Sequence, residues 1–147
     1  MGKSLLMRTE ASYSLNFMIY LQNIYLNQYI SRKEDYKFPY TAPETIAFKK
    51  EYGLAYKELW DVIVSELSKR PENDMEMFHE KKDVFYRKLF IKSKEGLKQY
   101  HEFYIAFKTW WGSLAGSFSI DRSIDDPGRK VYVEFANLCF LCFTLKE

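Results

Sequence analysis

Between residues 97 and 118 the apolar side chains recur at steps of three and four without a miss: Leu97, Tyr100, Tyr104, Phe107, Trp111, Leu114 and Phe118. That spacing puts one side chain per turn on a single face of an α-helix. It predicts a long amphipathic helix whose buried stripe is mostly aromatic. Twelve Tyr, twelve Phe and three Trp stand against only six Gly and four Pro. Few turn formers beside many rings, Leu, Glu and Lys favour long helices over short strands. With 147 residues the chain suits one domain, 1–147, large enough to bury its own core. The expected fold is all-α, a compact bundle of four to five helices near 12–30, 42–69, 74–92, 94–118 and 128–144.

The boundaries come from local signals. Thr41, Pro43 and Glu44 read as N-cap, first-turn proline and capping-box partner of the second helix, whose stripe is Phe48, Tyr52, Ala55, Leu59, Val62 and Ile63. Pro71 ends it, and Asn73 or Asp74 caps a third helix with Phe78, Phe85 and Leu89 inward. One unbroken helix from there to residue 118 would be about 65 Å long. A domain of this size is roughly 40 Å across. A break is therefore placed at Ser93 to Gly96, with Ser93 as N-cap. Ser119 to Gly128 reads as a loop, and Asp126-Pro127 as the start of the last helix.

On the first helix, Phe17, Met18, Leu21, Ile24 and Tyr25 make the inward face. Asn16, Tyr20, Asn23 and Asn27 fall together on the other side, with no charge among them. Such a neutral amide face reads either as an ordinary polar face or one covered by a neighbouring loop, or as a surface for another protein, since it is cheap to desolvate. Tyr36, Phe38 and Tyr40 crowd the connector that follows, where they cap the end of the bundle or extend this expected protein-binding surface. Gly112 and Gly116, four apart, suggest close approach of a second helix, in the same chain or in a homodimer, or else the fraying of the helix toward the loop.

The net charge of +2 gives no global support for a nucleic-acid coat. Locally, residues 79–108 carry eight cations against four acids, interleaved with rings. Lys81, Lys82, Arg87, Lys88, Lys92, Lys94 and Lys98 are the candidate nucleic-acid contacts of this alternative.

Catalytic signals are sparse. Glu76 and His79 form a single ExxH pair, and no second one exists to complete a di-iron set. The histidine needed at position 83 for a zinc-protease motif is Asp83. Asp121, Asp125 and Asp126 supply a weaker alternative, a metal-dependent hydrolase. Cys139 and Cys142 sit in an apolar run and read as inert thiols of a reducing, cytoplasmic setting. Residues 11–31 are uncharged and long enough to span a bilayer, yet Asn16, Gln22, Asn23, Asn27 and Gln28 argue against a membrane segment. No secretory or myristoylation signal is read at the start.

The expectation is thus a small, non-enzymatic helical protein that needs no cofactor and binds another protein. Its size suits an inhibitor, immunity or accessory factor of a bacterium, phage or plasmid. A nucleic-acid-binding module is the alternative.

Overall fold

The computed structural model describes residues 11–41 and 45–144, with side chains through Asn137 except Asp126. It is all-helical: α1 (Tyr13–Asn27), α2 (Tyr52–Lys69), α3 (Asp74–Glu80), α4 (Lys82–Leu89), α5 (Lys94–Trp111) and α6 (Leu114–Thr144). Single 3₁₀ turns at Lys33–Asp35 and Pro71–Asn73 link them. The chain forms two compact units, one over Ser12–Thr109 and one holding the chain from Trp110 onward.

The core of the first unit is built from rings. Phe17 is fully buried, and the rings of Tyr20, Phe78, Phe85, Tyr100, Tyr104 and Phe107 lie 5.1–6.3 Å from it. Most of these pairs are edge-to-face or tilted, which suits the quadrupoles of aromatic rings. A second cluster joins α1 to α2, where Tyr25 stacks on Tyr52 at 4.1 Å and Phe48 packs on Tyr52 and Phe90. Of the residues expected inward on α1, α3 and α4, Phe17, Met18, Leu21, Ile24, Phe78, Phe85 and Leu89 are buried and Tyr25 is half-buried; Tyr20, expected on the other side of α1, is buried as well.

Helix boundaries differ from the sequence reading in four places. α2 begins at Tyr52, not near residue 42. Residues 45–49 are extended because their backbone groups are bonded elsewhere. The Lys49 N–H donates to the Leu89 carbonyl (3.0 Å) and the Ile91 N–H to the Ala47 carbonyl (2.8 Å), forming a bridge of Phe48 with Phe90. The Gln99 side chain accepts from the Ala47 N–H and donates to the Thr45 carbonyl. Residues 42–44, and with them most of the expected capping box, lie outside the described residues.

The helix expected over 74–92 is two helices broken at Lys81, whose φ/ψ of −85°/4° leaves the α region. The break before α5 falls where expected: the Ser93 hydroxyl accepts from the Gly96 N–H at 3.0 Å. α5, however, stops at Trp111. Ser113 repeats the same cap, its hydroxyl accepting from the Gly116 N–H at 3.1 Å, and starts α6. The three-four rhythm of residues 97–118 therefore runs across two helices. Leu114 and Phe118 belong to the second and are 80% and 71% exposed. Gly116 serves this turn, since a Cβ there would sit 2.0 Å from the Trp110 carbonyl oxygen.

The expected loop over residues 119–128 is helical, and α6 runs through Pro127. Within it the hydroxyls of Ser119 and Ser123 point back along the helix and donate to the Ala115 and Ile120 carbonyls, at 2.8 Å each. Cys139 and Cys142 lie on helical backbone, but their side chains are outside the described residues. Among the described residues, no helix is long and apolar enough to cross a membrane.

Candidate interaction face

The amide face of α1 is not an outer surface. Tyr20 and Asn27 are buried and Asn16 and Asn23 are half-buried. The connector after the helix folds back over them. Asn27 Nδ2 donates to the carbonyls of Lys37 (2.8 Å) and Thr41 (3.2 Å), while its Oδ1 accepts from the Lys37 N–H (2.9 Å). Asn23 Nδ2 donates to the Phe38 carbonyl at 2.9 Å. Asn16 bonds its own helix, donating to the Ser12 carbonyl at 2.7 Å. Neutral amides stand on this face because they replace the loop's missing backbone partners. Tyr20 packs against Phe38 and Phe107, and its burial raises the phenol to about 12. Of the residues expected to bind a protein, Tyr36 and Phe38 are half-buried; Tyr40 alone is turned well out to solvent.

The basic segment behaves differently, and the structure sorts it into two clefts on either side of α4. The first, between α4 and α5, has a volume of about 410 Å³ and is lined by Lys82, Lys94, Lys98 and His101 with Asp83, Tyr86, Leu97 and Tyr100. The second, of about 360 Å³, is lined by Lys49, Arg87, Lys88 and Lys92 around Val84, with no carboxylate in its wall. Lys49 and His101 were not among the sequence candidates. Lys49 arrives through the extended segment paired with residues 89–91, a long-range pairing that no local pattern announces. Lys81 leaves the group: the break at that residue turns it to Glu66, 2.9 Å away.

Some cations are engaged within the fold. Lys49 donates to the Arg87 carbonyl at 2.6 Å, neutralising the C-terminal end of α4. Lys88 faces Glu58 at 3.6 Å, and Lys98 faces Glu102 at 4.0 Å, both exposed pairs of small energetic weight. Lys82 and Lys108 both lie over the Tyr104 ring, 5.0 and 5.6 Å from its centroid. The rings under these clefts are turned inward. Tyr100 is 2% exposed, with its hydroxyl donating to the Lys82 carbonyl at 2.7 Å, and Tyr104 is 3% exposed. Tyr86, at the cleft wall, has its hydroxyl tied to the Ser93 carbonyl at 3.2 Å. Leu97, expected inward, is 53% exposed beside the first cleft, because Gly96 takes the inward place in that turn.

The remaining candidates find other roles. His79 Nδ1 meets the Tyr104 hydroxyl at 3.0 Å. Asp121 and Asp125 lie on consecutive turns of α6, not in a loop, and the Asp126 side chain is outside the described residues. Among the described residues, no three His, Cys, Asp or Glu side chains are grouped to hold a metal ion. No protein-family model, curated protein or solved structure matches the chain.

Proposed function

We propose that the protein acts by binding another protein, without catalysis, and that its partner brings an acidic surface to the α4–α5 face. The observation that carries this reading is the division of labour on that face. Cations line both clefts while the rings of Tyr100 and Tyr104 are buried and Tyr86 is half-buried in the first wall; the exposed apolar groups beside them are the aliphatic Leu97 and Ile91. Single-stranded nucleic acid is held by basic residues together with open ring faces on which bases stack. Tyr100 and Tyr104 offer none. Charge with an aliphatic contact suits a protein surface, where complementary charge steers approach and selects the partner. An inhibitor, immunity or accessory role fits this reading.

Affinity capture from nuclease-treated lysate of the source organism tests it, with wild type beside the double variant Lys94→Glu, Lys98→Glu. A protein that survives nuclease, weakens with salt and is lost from the variant supports the proposal. Recovery that vanishes with nuclease, followed by binding of single-stranded nucleic acid that falls steeply with salt, would transfer the face to the alternative.

A further inference from the structure

The turn that follows α1 holds one residue in a conformation its own type disfavours. Tyr40 has φ +61°, in the left-handed region. There an L side chain crowds its neighbouring carbonyl, and a bulky ring is an outlier where glycine would sit freely. Local chemistry imposes this backbone. The Tyr40 N–H donates to the Lys37 carbonyl at 2.8 Å, and the amides of Asn23 and Asn27 grip the carbonyls of Lys37, Phe38 and Thr41 on either side of it.

Burial gives the ring no return for that strain. Tyr40 is 69% exposed; its ring meets Phe38 edge-on at 5.8 Å, and Phe38 in turn rests on Tyr20. The result is a turn, anchored by half-buried and buried amides, that holds an aromatic side chain out to solvent. Strain kept where it does not serve the core points to function. Tyrosine is also among the residues that dominate protein interfaces, offering a large ring and a polar tip at small entropic cost.

We infer that Tyr40 is a binding residue, presented for insertion into an apolar cavity of a protein partner whose rim accepts a hydrogen bond from the phenol. This rests on the protein-binding reading above and adds a second contact point to it. Tyr40→Ala, Tyr40→Gly and Tyr40→Phe, each measured by thermal melting and by the same nuclease-treated capture, form the test. Tyr40→Ala is expected to melt close to wild type, and Tyr40→Gly about 3 °C or more above Tyr40→Ala as the strain is relieved. Both should recover partner at a level reduced about tenfold or more, with Tyr40→Phe in between.

Two results would overturn the inference: wild-type recovery by the alanine and glycine variants, or a fall of many degrees in the alanine melt, which would make the ring structural. A partner lost with Lys94→Glu, Lys98→Glu but kept by the Tyr40 variants sinks only this inference. Recovery of no nuclease-resistant protein by wild type sinks the protein-binding reading itself.

Discussion

The Asp74 carboxylate, on the first turn of α3, accepts the backbone N–H of Ser14 on α1 at 3.2 Å. Its other oxygen accepts the N–H of Tyr13. Ser12 accepts the N–H of Leu15 at 3.1 Å, so the free donors at the start of α1 are shared between its own cap and a residue sixty positions away. The negative charge also faces the positive end of the α1 dipole. Asp74→Ala is expected to lower stability by about 1–2 kcal/mol, read as a fall in the thermal midpoint. Asp74→Asn, which keeps one acceptor oxygen, should fall between.

Asn27 allows a sharper comparison. Its side chain donates to two carbonyls and accepts from one N–H. Asn27→Ala leaves those loop groups without partners and should cost about 2–3 kcal/mol. Asn27→Asp keeps the acceptor but turns a carboxylate oxygen toward two carbonyls, and is expected to destabilise more despite its closer shape. Chemical denaturation of the three proteins side by side decides the order.

Two glycines should respond in opposite directions to alanine. Gly53 lies in the first turn of α2 with nothing within 4 Å of where a Cβ would stand. Gly53→Ala is expected to stabilise by about 0.5–1 kcal/mol through helix propensity alone. At Gly96 the same atom would stand 2.3 Å from the Ile91 carbonyl oxygen. Gly96→Ala must push apart the bridge at Phe90 and should cost about 1–3 kcal/mol. Equal midpoints for the two variants would contradict this reading.

Alkaline pH supplies a further test. Burial raises the phenols of Tyr13 and Tyr20 from 10.0 to about 12, and those of Tyr52 and Tyr100 higher still. Between these values the unfolded chain has lost protons that the folded one retains. Stability is therefore whole below pH 10 and declines as pH rises toward 12 and beyond. The tyrosinate absorbance of these buried phenols and the helical circular dichroism should change together in that range. Early titration of all twelve tyrosines with helicity intact would count against a core of buried phenols.

The Tyr52 hydroxyl is buried and has no hydrogen-bond partner among the described residues. Tyr52→Phe removes it while keeping the stacking on Tyr25. It should raise stability by about 1 kcal/mol, measured by denaturant titration.

What the sequence made legible was the inside of each helix. The burial of Phe17, Leu21, Phe78, Phe85 and Leu89 follows from a period that a single helix imposes on its own residues. The ends of helices depend on partners far along the chain. Gln99 ties down residues 45 and 47, and no signal near residue 45 reveals it. Ser113 carries the same Ser-x-x-Gly start as Ser93, yet an apolar rhythm that happened to continue past it hid the break. The neutral amides of α1 left two readings, a covering loop or a binding surface, for a related reason: the acceptors of Asn23 and Asn27 lie in a loop ten or more residues later, whose path the helix pattern does not contain.

The ring-built core has an optical consequence. Its members are Phe and Tyr, while Trp60, Trp110 and Trp111 are only half-buried, and the last two belong to the unit that begins at Trp110. Indole emission from this protein therefore weighs the second unit and the outer face of α2, and is nearly blind to Phe17 and its neighbours. Near-ultraviolet dichroism of the tyrosines watches those neighbours instead. Recorded together during heating, on wild type and on Trp60→Phe, the two signals weigh the two units differently, with no label added.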